Sequence, residues 1–185
     1  MSDDFDDYPV KPLTNDEKEA ISERIRQRLG FAETDVLTAD GLLTRLCETQ
    51  NVELVVRPDA VMGRSEAFIT TDPSRLFLRE SVHQAILLND ARALMTIAHE
   101  TFHYFVHPGV PKARAAAGNV TPKFIKPAES AERQARYGAG AILMPRKEVQ
   151  RAHSANDLRK HFGVNLQAAE IRLEHAEPDQ GAVRN

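Results

Sequence analysis

Apolar residues recur at helical spacing near the start of the chain. Ile21, Ile25 and Leu29 lie four residues apart and would share one face of a helix. Residues 14–17, Thr-Asn-Asp-Glu, have the spacing of a capping box, in which Thr is the N-cap and Glu is the third helical residue. We therefore predict a helix from about residue 14 to Leu29, ended by Gly30.

The pattern then changes to short stretches rich in β-branched and aliphatic residues. A second predicted helix begins after residues 38–40, and residues 52–56 predict a strand. Residues 66–71 and 75–79 flank a proline-containing turn, which predicts a hairpin. Residues 85–88, Ala-Ile-Leu-Leu, are interpreted as another buried strand.

A longer helical pattern, predicted at about residues 91–106, contains the sequence H-E-x-x-H. His99 and His103 would lie one turn apart on the same face, where both rings can bind one metal ion. Zinc is the usual ion for such nitrogen ligands. Glu100 lies beside the first histidine and could accept a proton from water at the metal. The pattern is the metalloprotease signature, and a chance meeting of two histidines and a glutamate is the alternative.

A further helix, predicted at about residues 128–143, has small residues along one face. Gly138 and Gly140 each cost about 1 kcal/mol relative to alanine in a helix, a cost tolerated where another backbone passes closely. We therefore expect this helix to pack on the H-E-x-x-H helix. Glu132 begins the small-residue stripe and is predicted as the third metal ligand; an ordinary surface glutamate is the alternative. Glu129 lies on the same predicted helix but off the stripe.

The C-terminal part predicts a short helix at residues 146–153, followed by a helix, a tight turn and a helix over residues 157–174. The basic side chains that could contact DNA are Arg159, Lys160, His161 and Arg172. The plainer interpretation is a small packing unit, whose core would comprise Leu158, Phe162, Val164, Ala168 and Ile171. We favour packing because the chain carries a net charge of −3.

Patterning divides the chain into four parts. Residues 1–13 are predicted to be a flexible acidic tail, 14–145 a metallopeptidase-like core, 146–176 a helical subdomain and 177–185 a second tail. Within the core, residues 109–127 are predicted to form a locally basic loop. A solvated surface loop is the plainer interpretation of this loop, and a flap that contacts substrate is the alternative.

Composition narrows the possible classes of protein. The 185 residues, 42% of them hydrophobic, are enough for one domain with a real core. The single Cys47 excludes an internal disulfide framework and a cysteine-rich zinc site. No apolar run approaches the length of a membrane span, and the N-terminus does not resemble a signal peptide. We therefore expect a protein of the reducing cytoplasm with no membrane partner.

Three segments together resemble the ImmA/IrrE family of metallopeptidases, and the resemblance covers roughly residues 38–173. The segments are Ala-His-Glu-Thr-Phe-His at 98–103, Glu-Arg-Gln-Ala at 132–135 leading to Ile-Leu-Met-Pro at 142–145, and His-Phe-Gly-Val at 161–164 with Ile-Arg-Leu at 171–173.

The resemblance implies an α+β fold, with a small mixed or antiparallel sheet packed on the zinc helix and on a second helix that carries the third ligand, and a C-terminal helix-turn-helix-like subdomain. It implies one Zn²⁺ per chain, held by His99, His103 and Glu132, with Glu100 as the base. Family members typically act in the bacterial cytoplasm and cleave a helix-turn-helix repressor. We therefore expect a protein substrate of that kind and no direct contact with nucleic acid.

The chain departs from the family pattern without losing a ligand. Thr101-Phe102 replaces the usual Leu-Gly, Arg136 stands where Asn is common, and Gly138 stands where Phe is common. The bulky Phe102 and the changed downstream helix are expected to affect substrate preference. His107, one turn past His103, is interpreted as a residue behind the ligands or at the surface.

Two points stay open at the level of sequence. His83 and Tyr137 are weak candidates for stabilising the oxyanion of a peptidase reaction. A non-catalytic regulator, in which zinc holds two helices together and the surface binds a partner protein, is the rival function. An intact Glu100 favours the enzyme, because a purely structural zinc site needs no base at that position.

Overall fold

The computed structural model describes residues 7–110 and 125–176, which form a mixed α+β fold. The helices are α1 Asn15–Arg28, α2 Ala39–Gln50, α3 Asp59–Met62, α4 Glu80–Leu87, α5 Ala91–Val106, α6 Ala131–Leu143, α7 Arg146–Arg151, α8 Ala155–Phe162 and α9 Leu166–Ala176, and a 3-10 turn spans Pro127–Glu129. The strands are β1 Glu53–Arg57, β2 Ala67–Ile69 and β3 Arg75–Arg79. Within these two ranges, no helix is both long and apolar enough to cross a lipid bilayer.

The described strands form one small mixed sheet in the order β1-β3-β2. The predicted hairpin is present, since β2 pairs with β3 in antiparallel register and Phe68 lies opposite Phe77. The outer strand β1 runs parallel to β3. Leu76 and Leu78 of β3 are fully buried beneath the sheet, while Phe68 and Phe77 stack on the opposite face. The sheet therefore covers the core with one face.

Side-chain caps fix where the helices begin. The predicted capping box is present at α1, where Thr14 accepts a bond from the Glu17 amide and Glu17 accepts one from the Thr14 amide. At α5 the cap is the side chain of Asp90, which accepts bonds from the amides of Arg92 and Ala93. The α5 boundaries agree with the range predicted from the sequence, 91–106. Local chemistry thus sets the register of the helix that carries H-E-x-x-H.

The interpretation of residues 85–88 as a strand is wrong. These residues end and follow α4, in which Val82, Ala85 and Ile86 share the face that packs on the core. Leu87 and Leu88 are 60% and 80% exposed, so the apolar run is not buried on both sides. A short apolar run cannot be assigned to a strand or a helix from periodicity alone.

The α5 and α6 helices pack closely, as predicted, but a side chain fills the space beside Gly138. The ring of Phe102 occupies the position that a Cβ at residue 138 would take. Phe102, Ala135 and Ala139 are all fully buried at this interface. The ring of Phe102 on α5 therefore fills the space that the missing side chain of Gly138 leaves on α6, and the two helices stay in close contact.

The C-terminal helices pack as the sequence analysis favoured. Leu158, Phe162 and Val164 are buried, but Ile171 is 46% exposed and Arg172 takes the buried position instead. Arg172 donates to the Met144 carbonyl and to the Glu19 carboxylate of α1. These bonds join α9 to the rest of the core. The proposed boundary between core and subdomain stays a prediction, and residues 111–124 of the predicted loop and 177–185 of the tail lie outside the described residues.

The contact between Phe102 and Gly138 can be tested with two glycines of the same helix. Gly138→Ala should lower the free energy of unfolding by about 1–3 kcal/mol, because the added methyl group overpacks against the Phe102 ring. Gly140→Ala is the matched control. Its Cβ would meet Arg172 Cδ at 3.6 Å, an ordinary contact, so up to about 1 kcal/mol of helix propensity should be gained. Urea unfolding measures both, and equal stability of the two variants would contradict the close approach.

Candidate metal centre

Two helices bring three potential metal ligands to one point. His99 and His103, on successive turns of α5, have their Nε2 atoms 3.0 Å apart. Glu132, in the first turn of α6, places Oε2 3.2 Å from His99 Nε2 and Oε1 3.1 Å from His103 Nε2. The structure thus brings together the three residues that the sequence predicted as ligands.

This arrangement meets the geometric needs of a bound transition metal. Zinc lies roughly 2.0–2.2 Å from nitrogen and oxygen ligands, so two ligands of a tetrahedral site are about 3.3 Å apart. The separations of 3.0–3.2 Å among the three donor atoms are close to that value. The chemistry of the set also fits, because two imidazoles and one carboxylate leave a fourth position for water or substrate.

The surroundings keep Glu132 ionised. Burial is the largest single effect and raises the pKa of its carboxyl group, but the hydrogen bonds with His103 and His99 and the charges of these two rings together outweigh it, and the net effect is a lowered pKa. Its position in the first turn of α6 adds the favourable field of the helix N-terminus. Glu132 is therefore available as an anionic ligand.

Glu100 lies beside the ligands but is fixed to the sheet. Its side chain is buried, with 4% of the residue exposed, and Oε2 accepts a 3.1 Å hydrogen bond from the Ile69 amide of β2. The amide of the next residue, Thr70, donates to the Arg75 carbonyl of the adjoining strand β3. Because successive amides along a strand point in opposite directions, the Ile69 amide faces away from β3. Glu100 thus joins the H-E-x-x-H helix to the open edge of β2.

The N-terminal segment forms part of the cleft in front of the ligands. The carboxylate of Asp7 accepts bonds from the Ser130 hydroxyl and, at 3.1 Å, from the Glu132 amide. Pro9 forms an isolated antiparallel bridge with Ser130, and Tyr8 lines the cleft. The sequence analysis assigned this segment to a tail, and no local pattern indicated its contact with α6. The other described residues that line the cleft include Ile69, Thr70, Pro73, His107 and Val110.

His107 lies behind the ligands, one of the two places that the sequence analysis proposed. It is 7% exposed, and its Nδ1 atom is 3.0 Å from His103 Nδ1. Its Nε2 atom is 3.0 Å from Oε1 of Gln134, a buried residue of α6. The sequence analysis did not single out Gln134. No helical spacing indicated it, because residues two positions apart on a helix, such as Glu132 and Gln134, do not share a face.

The remaining candidates lie away from the ligands. Glu129 belongs to the 3-10 turn before α6, so its assignment to that helix is wrong. Tyr137 donates its hydroxyl to Glu19 of α1, and His83 lies on α4; neither is among the described residues that line the cleft. Phe102 is fully buried against α6 and does not enter the cleft.

Comparisons with known proteins give a family match and a structural likeness. The sequence profile of the IrrE N-terminal-like domain, peptidase family M78, matches residues 47–174. A solved structure described as a Mycobacterium tuberculosis transcriptional regulator is 16% identical, with a TM-score of 0.56, over 90% of this chain and 50% of that chain. At this identity the likeness shows the fold alone, and the chain spans about half the length of that protein. No curated protein sequence matches the chain.

The three ligands can be tested without knowledge of a substrate. We expect one transition-metal ion per purified chain, and His99→Ala and Glu132→Ala should each lose most of it because two ligands hold the ion weakly. Glu129→Ala is the matched control, since this nearby carboxylate lies in the 3-10 turn. Elemental analysis of the four proteins measures the effect. Full metal content in either ligand variant, or loss of metal in Glu129→Ala, would contradict the assignment.

Proposed function

The chain belongs to peptidase family M78, the IrrE N-terminal-like domain, and we propose that it is a zinc-dependent endopeptidase. The fold is of the metallopeptidase type. The observation that carries the proposal is the convergence of His99, His103 and Glu132 within 3.0–3.2 Å, with a buried carboxylate, Glu100, beside them. We propose that these three residues hold zinc and that Glu100 acts as the base.

Each residue has a role in this proposal. When bound, zinc would supply Lewis-acid chemistry, polarising the scissile carbonyl and acidifying water. Glu100 would accept the proton from the attacking water and pass it to the nitrogen of the leaving amine. The amide of Ile69 would hold the Glu100 carboxylate in place between these two transfers. Neither candidate for stabilising the oxyanion is included in the proposal, because Tyr137 bonds to Glu19 and His83 lies on α4, away from the cleft.

The proposed substrate is a protein, and a small helix-turn-helix repressor is the preferred one. Two observations support it: the match to the IrrE N-terminal-like domain and the likeness to a protein described as a transcriptional regulator. The cleft beside the ligands is flanked by β2, an outer strand of the described sheet, and Ile69 and Thr70 line it. An extended peptide is the form of chain that fits beside such a strand edge. Cleavage would relieve repression.

A second function is a regulator that binds a partner protein without cutting it. The bond between Glu100 and the Ile69 amide favours this alternative, because it gives Glu100 a structural use that requires no proton transfer. The likeness to a transcriptional regulator is compatible with both functions. The two can be separated by a substitution that keeps the bond but removes the base.

Glu100→Gln is that substitution. The glutamine oxygen can still accept the bond from the Ile69 amide, whereas an amide cannot take a proton from water. We expect metal content and unfolding temperature close to wild type, and cleavage slower by at least ~10²-fold, the lower limit for acid–base catalysis. The assay is a gel time course with purified candidate helix-turn-helix repressors from the same organism as substrates, and metal content is measured on both the wild-type and the Glu100→Gln protein.

The controls decide between the two functions. Glu129→Gln replaces a carboxylate of the neighbouring 3-10 turn and should cleave at the wild-type rate. If wild type relieves repression without cutting the partner, and Glu100→Gln relieves it equally, the protein acts by binding. Loss of metal in Glu100→Gln would show that the glutamate holds the site together.

We also propose that the chain alone does not recognise DNA through α8 and α9. Arg172 is 2% exposed and bonded to Glu19, so it cannot reach a phosphate. Arg159 and Lys160 are exposed, but the chain has a net charge of −3. We therefore expect only weak binding to duplex DNA, unchanged by Arg159→Ala/Lys160→Ala, in fluorescence anisotropy at physiological salt. Sequence-specific binding that this double variant abolishes would overturn the proposal.

A further inference from the structure

The side-chain amide of Gln134 has a fixed orientation. Its Nε2 atom lies 2.9 Å from the carbonyl oxygen of Lys11 and 2.8 Å from that of Ala128. Both partners accept hydrogen bonds, so the atom facing them must be the amide nitrogen, which donates two. The reverse orientation would place the amide oxygen against two carbonyl oxygens at 1% exposure. The oxygen of Gln134 therefore points toward His107.

This orientation determines which nitrogen of His107 carries the proton. The Oε1 atom of Gln134 lies 3.0 Å from His107 Nε2, and an amide oxygen only accepts hydrogen bonds. Nε2 of His107 must therefore be the protonated nitrogen. In a neutral imidazole the other nitrogen, Nδ1, then has a lone pair and acts as an acceptor.

His103 is the next ring in the bonded series. Its Nδ1 atom lies 3.0 Å from Nδ1 of His107, and one proton must lie between two nitrogens at that distance. Because His107 accepts there, His103 donates. The other nitrogen of His103, Nε2, faces the point where Nε2 of His99 and the carboxylate of Glu132 meet, and it is therefore the nitrogen that can bind an ion there.

We propose that Gln134 and His107 are positioning residues for the metal centre, and that the bonded series Gln134–His107–His103 fixes a proton of His103 on Nδ1, so that Nε2 is the nitrogen that binds the ion. The inference rests on the metal centre proposed above. It adds that the backbone carbonyls of Lys11 and Ala128, which orient the Gln134 amide, also determine which nitrogen of His103 binds the ion. Metal-bound histidines depend on such partners for orientation and basicity.

The protonation pattern can be read directly by long-range ¹H–¹⁵N NMR of the imidazole rings. In wild type we expect a proton on Nδ1 of His103 and on Nε2 of His107, and none on Nδ1 of His107. The spectra are recorded on the metal-free and zinc-loaded protein. A proton on Nδ1 of His107, or an unprotonated Nδ1 on His103, would overturn the proposal. The metal-free spectrum alone shows the proton positions on His103 and His107. The bonded series can therefore be tested even if the protein does not bind zinc and the proposed function is wrong.

Two substitutions of His107 separate hydrogen bonding from packing. Asparagine places its Oδ1 near the position of Nδ1, so His107→Asn keeps the acceptor for His103. His107→Leu fills the space but offers no acceptor. We expect His107→Leu to weaken zinc binding by about 10–100-fold in competition with a chelator, while His107→Asn stays near wild type. Thr101→Val is the matched control, because this fully buried hydroxyl on the same helix bonds to the Ile97 carbonyl.

The variants distinguish the outcomes. Weak binding by His107→Leu with recovery in His107→Asn supports the proposal, since a role in packing alone would not separate the two. Equal zinc affinity of wild type and a folded His107→Leu would overturn it, as would equal losses in His107→Leu and Thr101→Val. If His107→Leu does not fold, the wild-type spectra and the affinity of His107→Asn still decide, because an Asn variant that loses zinc contradicts the acceptor role.

Discussion

The metal centre depends on how closely α6 approaches α5. His99 and His103 need only the geometry of one helix to lie together, but Glu132 belongs to a different helix and must be brought within about 3 Å of their rings. The small side chains of α6 and the space left by Gly138 permit this approach, and Phe102 fills that space from α5. A change of interhelical distance by the width of a methyl group would separate the ligands.

The polar groups around the ligands are buried and must be satisfied by one another. An unpaired buried polar group costs about 1–3 kcal/mol, so each group that faces the core requires a partner. Glu100 obtains one from the edge of β2, and His107 obtains one from Gln134. Asp7 accepts bonds at the start of α6, next to Glu132. The elements that form the cleft are therefore the same elements that hold the ligands in place.

The sequence predicted those parts of the site that depend on local patterns. The spacing of the two histidines placed both rings on one face of the predicted helix at 91–106, and the small-residue stripe favoured Glu132 over Glu129. The contacts of the N-terminal segment with Gln134 and Glu132 were missed because they join residues more than 120 positions apart and leave no periodic signal. Residues 85–88, at the end of α4, were predicted to be a strand because four apolar residues are too few to show a helical or strand period.

The departure from the family pattern at position 102 now has a physical explanation. The sequence analysis expected Phe102 to affect substrate preference, but its ring is fully buried between α5 and α6. The ring fills the space beside Gly138, so the interface is densely packed and the two helices are held at the separation that brings the ligands together. Phe102 is not among the described residues that line the cleft. Those residues include Tyr8, Thr70 and Pro73, and a chain bound in the cleft would contact them rather than Phe102.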